Sequence, residues 1–443
     1  MLLSGDVGRS HAVVIGASVA GLTAAQALAS RFDRVTVLDR DILPDNPVPR
    51  RGVPQGHHPH VLLASGQAAL DELFPGVKEE LVAGGAVPFE AGRDMCIHRF
   101  GVVWPPADTG LHLVSFSRPF LETTLRGRLL AHPNVSIRDG VAIAALTGSS
   151  LGVTGVRLDD GETLAANLVV DATGRGSRSD RWLANLDFPV PEAAEVKIGV
   201  GYSTRVFRRE PGFLPEGVCV FILPTPPRGR RAGLILPIEG DRWLVSIGGW
   251  HGQFPKDEAE FQRFAKELPY PAIADLLRDG EPLSEVVSYG FPSSRRRYFE
   301  KLRLVPGGFV TTGDAVCSFN PIYGQGMTCA ALDALALGRM LDKHSSADAA
   351  MARDYYREVG SILATPWRFA AGGDFAFPET QGPRPPGIAL LNRYSRRVQL
   401  AARYDPVVRR VFSSVQHLVI PPSALFQPSI VAKVVRGSRS VNE

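Results

Sequence analysis

Near the start of the chain, the residues best suited to chemistry form a glycine-rich turn, 16–21, between an apolar strand and a helix. Backbone N–H groups at such a helix start attract phosphate oxygens, and the glycines allow a tight turn and close helix packing. Ser18 stands where the pattern usually has its middle glycine, so its side chain should point away from the ligand. Asp39 ends the next apolar strand, where a carboxylate can accept hydrogen bonds from an adenosine ribose. The pattern predicts a dinucleotide site; the alternative is an ordinary parallel-sheet turn.

Two further apolar strands run into glycine turns much later in the chain. One turn spans 171–177, and the other runs from Gly313-Asp314 to Gly326. A long helix is predicted to follow, from Met327 to Leu341. One nucleotide-binding fold with an inserted sheet accounts for all three turns.

In this order the three turns resemble those of the single-component FAD-dependent monooxygenases, a superfamily that includes aromatic hydroxylases, epoxidases, halogenases and geranylgeranyl reductases. The resemblance covers about the first 345 residues. It implies that FAD is the cofactor, that the first turn binds its ADP half and that Asp314 binds its ribityl chain. The helix after Gly326 would point its N-terminus at the flavin, where its dipole stabilises negative charge. Arg118 is a further candidate near the cofactor; its alternative is an ordinary surface arginine.

The candidate cofactor-binding residues implied in this way come from the three turns and from nearby basic residues. They are Gly16, Ser18, Ala20, Gly21, Asp39, Arg40, Arg51, Arg118, Asp171, Gly174, Gly313, Asp314, Pro321, Gly324, Gln325, Gly326 and Met327. NAD(P)H is expected to reduce the flavin as a transient visitor, because the chain has no second complete dinucleotide half. The cofactor carries the hard chemistry in such enzymes, so no catalytic acid or base is named.

Differences between this chain and the superfamily's sequence patterns reduce the number of reaction types to expect. Thr173-Gly174 stands where aromatic hydroxylases usually have Asp-Gly, and no Trp-x-Trp-x-Ile-Pro signature of halogenases is present. The segments 50–60 and 320–327 are most similar to those of bacterial epoxidases and hydroxylases of polyketide and terpenoid pathways. The resemblance therefore implies transfer of one oxygen atom from O2 to an apolar natural product, with epoxidation of an alkene favoured. Hydroxylation of an aromatic ring and reduction of isoprenoid double bonds are the alternatives.

Three histidines, His57, His58 and His60, lie close together in a Pro- and Gly-rich loop. Three imidazoles can bind a metal, but no companion cysteine or carboxylate pattern supports that, so a loop packed beside the flavin is favoured and no metal is expected. The four cysteines show no CxxC or zinc-like spacing and fit a reducing cytosol. The first residues lack the features of a signal peptide, and no apolar run is long enough to span a bilayer. A cytoplasmic location is therefore predicted.

The composition is that of a globular chain of 443 residues with a formal charge of +4, which implies no nucleic-acid partner. The predicted fold class is α/β, with a Rossmann-like FAD-binding domain, an inserted antiparallel sheet and a C-terminal helical segment. The FAD-binding domain would comprise 1–190, with an inserted segment at about 61–117, together with 295–345. Residues 191–294 would form the antiparallel substrate domain, and 346–443 the helical segment.

An apolar substrate would need an apolar pocket, and the antiparallel domain offers candidates for its lining. They are Phe207, Val220, Ile222, Leu236, Ile247 and Trp250. The alternative for each is that it belongs to the core of the sheet. The substrate itself and the oligomeric state do not follow from the sequence.

Overall fold

The computed structural model describes residues 9–214 and 218–437. Its strands, labelled in chain order, are β1 His11–Ile15, β2 Arg34–Leu38, β3 Val87–Glu90, β4 Met95–Arg99, β5 Val102–Val103, β6 His112–Ser115, β7 Val135–Arg138, β8 Ile143–Ser149, β9 Gly152–Leu158, β10 Thr163–Ala165, β11 Leu168–Asp171, β12 Ala193–Arg208, β13 Cys219–Ile222, β14 Arg231–Ile238, β15 Arg242–Gly249, β16 Val287–Arg297, β17 Phe309–Thr311 and β18 Cys317–Ser318.

The helices are labelled in the same way. They are α1 Val19–Ala29, α2 Ala64–Leu73, α3 Val77–Ala83, α4 Arg118–Leu130, α5 Ser179–Ala184, α6 Glu258–Lys266, α7 Ala272–Asp279, α8 Gly326–Lys343, α9 Ala349–Asp374, α10 Ile388–Ala402, α11 Pro406–Gln416 and α12 Pro428–Gly437. Within the described ranges, none of these helices is long and apolar enough to cross a membrane.

A five-stranded parallel sheet, ordered β17-β11-β1-β2-β7, forms the centre of the first core. Its strands are apolar on both faces, as expected for a parallel sheet covered by helices. All five residues of β1 are buried, and α1 and α8 pack against one another beside the sheet. The Rossmann-like α/β class predicted from the sequence is confirmed, and the carboxyl ends of β1, β11 and β17 meet at one edge.

An eight-stranded mixed sheet, ordered β18-β16-β12-β15-β14-β13-β4-β5, forms the second layer. Most of its pairings are antiparallel, but β13 and β4 run parallel. Strands β4 and β5 come from the segment expected as an insertion at 61–117, so that segment extends the substrate sheet. Strand β16 continues to Arg297, beyond the expected boundary at 294. The domain boundaries themselves stay a prediction.

One face of this sheet packs against α6 and α7, and this packing changes the interpretation of the expected substrate pocket. Four of the six candidates lie in the sheet–helix core and are at most 1% exposed: Phe207, Val220, Ile222 and Ile247. Leu236 lies in a separate buried cluster with β3 and β6, and Trp250 packs near α9. None of the six lines the main cavity described below, which favours the alternative that they belong to the core; a role in substrate binding stays a prediction. Side chains alternate between the faces of a strand, and the sequence does not say which face a helix covers.

The C-terminal segment is helical, as the sequence predicts, and α9 belongs to the main core. Tyr355 and Tyr356 of α9 are fully buried, and both hydroxyl groups bond to the backbone of Thr311 on β17. The remaining helices, α10 to α12, enclose a separate apolar cluster that includes Trp104. Helix α9 therefore supports the strand that leads into the third glycine turn.

Candidate functional site

The three glycine turns surround one cavity of about 430 Å³. They follow β1, β11 and β17, which are neighbours in the parallel sheet although they are far apart in the chain. In open α/β sheets, ligands bind outside the carboxyl ends of the strands, where this cavity lies. The loop 50–61 and one face of the substrate sheet complete its wall.

The first turn requires glycine at two positions. Gly16 has a φ of +107°, and a Cβ atom there would lie 2.6 Å from the carbonyl oxygen of Ala172. A Cβ atom at Gly21 would lie 1.7 Å from the carbonyl oxygen of Gly16. The start of α1 can therefore lie against β1 and β11 only without these side chains, which agrees with the packing role predicted for the glycines.

Asp39 is buried at the end of β2 and is bonded to the first turn. Its Oδ2 accepts a hydrogen bond from the Ala17 N–H (2.7 Å), and its Oδ1 accepts from the Asp41 N–H (2.9 Å). Arg50 Nη1 also donates to Asp39 Oδ1 (3.1 Å) and to Asp41 Oδ2 (2.9 Å). A carboxylate has about four acceptor positions, so one remains for a ligand hydroxyl. The structure thus places the carboxylate at the cavity, as the ribose-binding prediction requires.

Arg118 begins α4 and connects the first turn to the histidine loop. Its guanidinium donates to Glu122 Oε1 (2.8 Å) and to the Ser18 hydroxyl (2.6 Å), and it lies 3.2 Å from His60 Nε2. The Ser18 hydroxyl in turn donates to Glu122 Oε1 (2.7 Å), so it has no proton left to donate to a ligand. Arg118 lines the cavity, and it is held in place by these contacts rather than free on the surface.

The middle turn is organised by Asp171, which is fully buried behind the cavity wall. Its carboxylate accepts hydrogen bonds from the Thr173 N–H (2.9 Å), the Thr173 hydroxyl and the Ser177 hydroxyl (both 2.6 Å). Burial raises the pKa of Asp171, while these hydrogen bonds act in the opposite direction. Asp171 therefore shapes the turn, and the ligand-facing position belongs to Gly174.

The third turn presents Asp314 to the cavity. Among the described residues no group donates a hydrogen bond to its carboxylate, although burial raises its pKa and the cations Arg118 and Arg175 lower it. Helix α8 begins at Gly326 beside it, with no side-chain cap and no acidic residue in its first turn. The positive end of an 18-residue helix and an unbonded carboxylate thus face the same space. This arrangement fits a ligand that carries hydroxyl groups next to an electron-rich ring, as FAD does.

Most of the residues predicted to bind the cofactor do line the cavity. They are Gly16, Ser18, Ala20, Asp39, Arg40, Arg118, Gly174, Asp314, Pro321, Gly324, Gln325, Gly326 and Met327. Gly21, Asp171 and Gly313 lie behind its wall, where they shape the turns. Arg51 is exposed and does not line the cavity, whereas its neighbour Arg50 is buried and does. The binding role of each residue stays a prediction.

Aromatic and histidine side chains form the part of the site nearest the substrate sheet. Tyr202 of β12 and Phe291 of β16 line the cavity. His58 makes an edge contact with the Tyr202 ring, with centroids 4.8 Å apart, and its Nδ1 lies 2.7 Å from the Thr204 hydroxyl. Burial lowers the pKa of both His58 and His60 to about 3, so both rings are neutral near pH 7.

Asp374, at the end of α9, was not among the predicted site residues. Its Oδ1 accepts hydrogen bonds from Trp250 Nε1 (2.8 Å), Asn320 Nδ2 (2.9 Å) and the Tyr323 hydroxyl (3.2 Å). It therefore ties the cavity-lining segment 320–324 to the substrate sheet. Burial raises the pKa of Asp374 to about 7. No sequence signal marks this residue, because an aspartate at a helix end is usually solvated.

Comparison with known proteins shows one family relative and several structures that share the fold. No family model matches it. It is 36% identical over 449 residues to protein Rv3254 of Mycobacterium tuberculosis, covering 95% of this chain and 93% of that protein. It is 27% identical over 380 residues to a putative 2-heptyl-3-hydroxy-4(1H)-quinolone synthase, AqdB1, of Rhodococcus erythropolis, covering 82% of this chain and 87% of that protein.

Two solved structures share the fold. PqsL of Pseudomonas aeruginosa, solved in complex with 2-aminobenzoylacetate, has a TM-score of 0.60 at 17% identity and covers 84% of this chain and 97% of its own. A flavoprotein of Cytophaga hutchinsonii has a TM-score of 0.66 at 15% identity and covers 98% of this chain and 100% of its own. The chain therefore belongs to the same family as protein Rv3254, and it shares the fold of these flavoprotein structures.

Proposed function

We propose that this chain uses FAD and NAD(P)H to transfer one oxygen atom from O2 to a flat, unsaturated organic substrate. The observation that carries the proposal is the convergence of three distant turns on one cavity beside the Asp314 carboxylate and the start of α8. When bound, FAD would supply the electrons and the oxygen chemistry. The chain's own residues would bind the cofactor, orient the substrate and exclude water.

Each part of the cavity has a separate task in this proposal. Asp39 and the first turn would hold the adenosine half, and Asp314 would accept hydrogen bonds from the ribityl hydroxyl groups. The N–H groups at the start of α8 would stabilise negative charge on the reduced ring. Tyr202 and Phe291 would form the wall against which a planar substrate packs, because both rings face the cavity.

Two kinds of substrate could accept the oxygen atom in this proposal. The segments 50–60 and 320–327 favour an alkene of a polyketide or terpenoid, which would become an epoxide. The relative AqdB1, described as a putative quinolone synthase, favours a heteroaromatic ring, which would become hydroxylated. Both acceptors are flat and largely apolar, so the aromatic wall suits either of them.

Isotope labelling tests the proposal and separates the two acceptors. The FAD-loaded chain would be incubated with NADH or NADPH, labelled O2 and either a 2-alkyl-4(1H)-quinolone or a terpenoid alkene. We expect one product heavier by one labelled oxygen atom, and its identity decides the acceptor. Asp314→Ala, which should bind FAD more weakly and form less product at limiting FAD, is the control. Oxygen derived only from water, or a saturated product formed equally well without O2, would contradict oxygen transfer and favour a reductase.

A further inference from the structure

A second cavity, of about 60 Å³, lies between the substrate sheet and α11. Met95, Ile97 and Arg99 of β4 form one wall, and Arg409 and His417 lie on the helical side. No carboxylate lines it among the described residues. A small cavity with two arginines and no acidic side chain has a positive electrostatic potential.

Arg99 is the unusual group in this cavity. Its Nε is shielded from solvent and has no hydrogen-bond partner, and within the described ranges the side chain forms no ion pair. Its guanidinium lies 5.2 Å from the centroid of the Phe100 ring, which compensates only part of the lost hydration. Burial lowers the pKa of Arg99 to about 10, so the side chain remains charged at pH 7. The side chain as a whole is partly exposed, so a small anion that enters the cavity can reach its guanidinium.

The neighbouring polar groups indicate the charge of that ligand. Trp104 also lines this cavity, and its Nε1, which can only donate, is shielded from solvent and has no hydrogen-bond partner among the described residues. His417 Nδ1 accepts from the Ala64 N–H at 3.2 Å, which places the proton of the neutral ring on Nε2. Arg409 already donates to three carbonyl oxygens and contributes charge rather than a free donor. The unsatisfied groups are thus donors beside a positive charge.

The size and the position of the cavity limit the ligand further. One water molecule needs roughly 10–15 Å³ of cavity volume, so about 60 Å³ holds a group no larger than about four to six waters. A carboxylate fits that space, whereas a nucleotide does not. Tyr323, which lies close enough to influence the charge of Arg99, belongs to the segment 320–324 that borders the main cavity.

We propose that this second cavity is an anion subsite that binds a carboxylate, with Arg99 as the binding cation and Arg409 adding positive charge beside it. The carboxylate has two possible sources. It is the acidic end of the substrate, in which case the inference rests on the proposed function and adds that the substrate is an organic acid. Otherwise it is a separate small carboxylate, and the subsite acts independently of oxygen transfer.

Calorimetric titration of the FAD-loaded chain tests the subsite directly. The probes are acetate, 2-aminobenzoylacetate and the methyl ester of the latter, in low-chloride buffer at constant ionic strength. We expect Arg99→Gln to weaken carboxylate binding by about 10- to 100-fold, the effect of losing a charge-assisted hydrogen bond. Arg99→Lys should retain part of the affinity because it keeps the charge. Arg93→Gln, at an exposed arginine just before β4, is the matched control and should bind as the unchanged chain does.

The outcomes separate the two sources. If the substrate supplies the carboxylate, 2-aminobenzoylacetate binds at least tenfold more tightly than its ester, acetate competes with it, and Arg99→Gln removes the difference. If a separate acid occupies the subsite, acetate binds through Arg99 but does not compete with 2-aminobenzoylacetate. Failure of both acids to bind, or equal affinity in a folded Arg99→Gln chain, would overturn the subsite. None of these titrations depends on oxygen transfer, so the proposed function is tested separately.

Discussion

Arg50 and Arg51 are adjacent residues of the same type, yet their surroundings are opposite. Arg50 contacts three carboxylates, those of Asp39, Asp41 and Glu122, and its side chain is 8% exposed. Arg51 is exposed. Removing one partner of a buried ionic cluster leaves uncompensated charge, which is more costly than losing an exposed cation. The structure therefore assigns to Arg50 the position that the sequence analysis assigned to Arg51.

This pair gives a matched test by urea unfolding. Arg50→Met should lower the free energy of unfolding by about 3–5 kcal/mol, because three carboxylates lose their counterion. Arg51→Met should change it by less than about 0.5 kcal/mol, as is usual for an exposed position. Equal effects of the two substitutions would mean that Arg50 is not buried in this cluster.

Asp314 carries the most direct prediction about the cofactor. Asp314→Ala should fold but bind FAD more weakly by about 1–3 kcal/mol, the range for losing hydrogen bonds to a charged group. The measurement is FAD affinity by fluorescence titration, with unfolding temperature as the check on folding. Asp342→Ala, at an exposed and ion-paired residue of α8, is the control and should keep full affinity. Unchanged affinity in Asp314→Ala would remove this carboxylate from the site.

At the scale of elements, the contact between α9 and the segment 320–324 is made through the buried carboxyl group of Asp374. The pKa of Asp374 is raised to about 7 by burial, whereas an unfolded aspartate ionises near 4. Between these values the unfolded state loses its proton while the folded state keeps it. This residue's contribution to stability is therefore complete below about pH 4 and decreases as the pH rises to about 7.

Asp374→Asn isolates this effect, since an amide keeps an acceptor oxygen at the position of Oδ1 and does not titrate. The stability of the variant relative to the unchanged chain should increase by up to about 1.4 kcal/mol per pH unit between pH 4 and 7. Urea unfolding at several pH values measures this difference, in which the opposing effects of buried histidines cancel. A constant difference over that range would show that Asp374 is ionised in the folded protein.

The sequence of the substrate sheet does not show which strand residues face the main cavity. Ile222 and Phe291 are both apolar strand residues, but Ile222 packs beneath α6 and α7 while Phe291 faces the main cavity. The sequence shows that side chains alternate between the two faces of a strand. It does not show which face is covered by helices, because those helices come from other parts of the chain. Helix α7 was itself not predicted. The cavity wall could therefore be identified only after both layers were in place.

At the scale of the whole molecule, FAD would hold together turns that are about 300 residues apart in sequence. A ligand that binds only the folded state stabilises it by about 2.7 kcal/mol at 100 times its dissociation constant. Adding FAD to the cofactor-free chain should therefore raise the unfolding temperature and slow hydrogen exchange in β1, β11 and β17 together. Protection limited to β1 would mean that only the first turn binds the nucleotide. The Asp314→Ala chain should show a smaller rise.

The sequence by itself determined the α/β class, the three glycine turns and most of the cavity-lining residues, including Asp39, Arg118 and Asp314. These features are readable because a buried strand, a tight turn and a helix start are local, and each restricts the residue types it accepts. Only the tertiary structure decided that Arg50 rather than Arg51 is buried, that Asp374 supports the site, and that Arg99 forms no ion pair within the described ranges. Burial and pairing depend on which distant segments meet, and no local pattern of residue types records that.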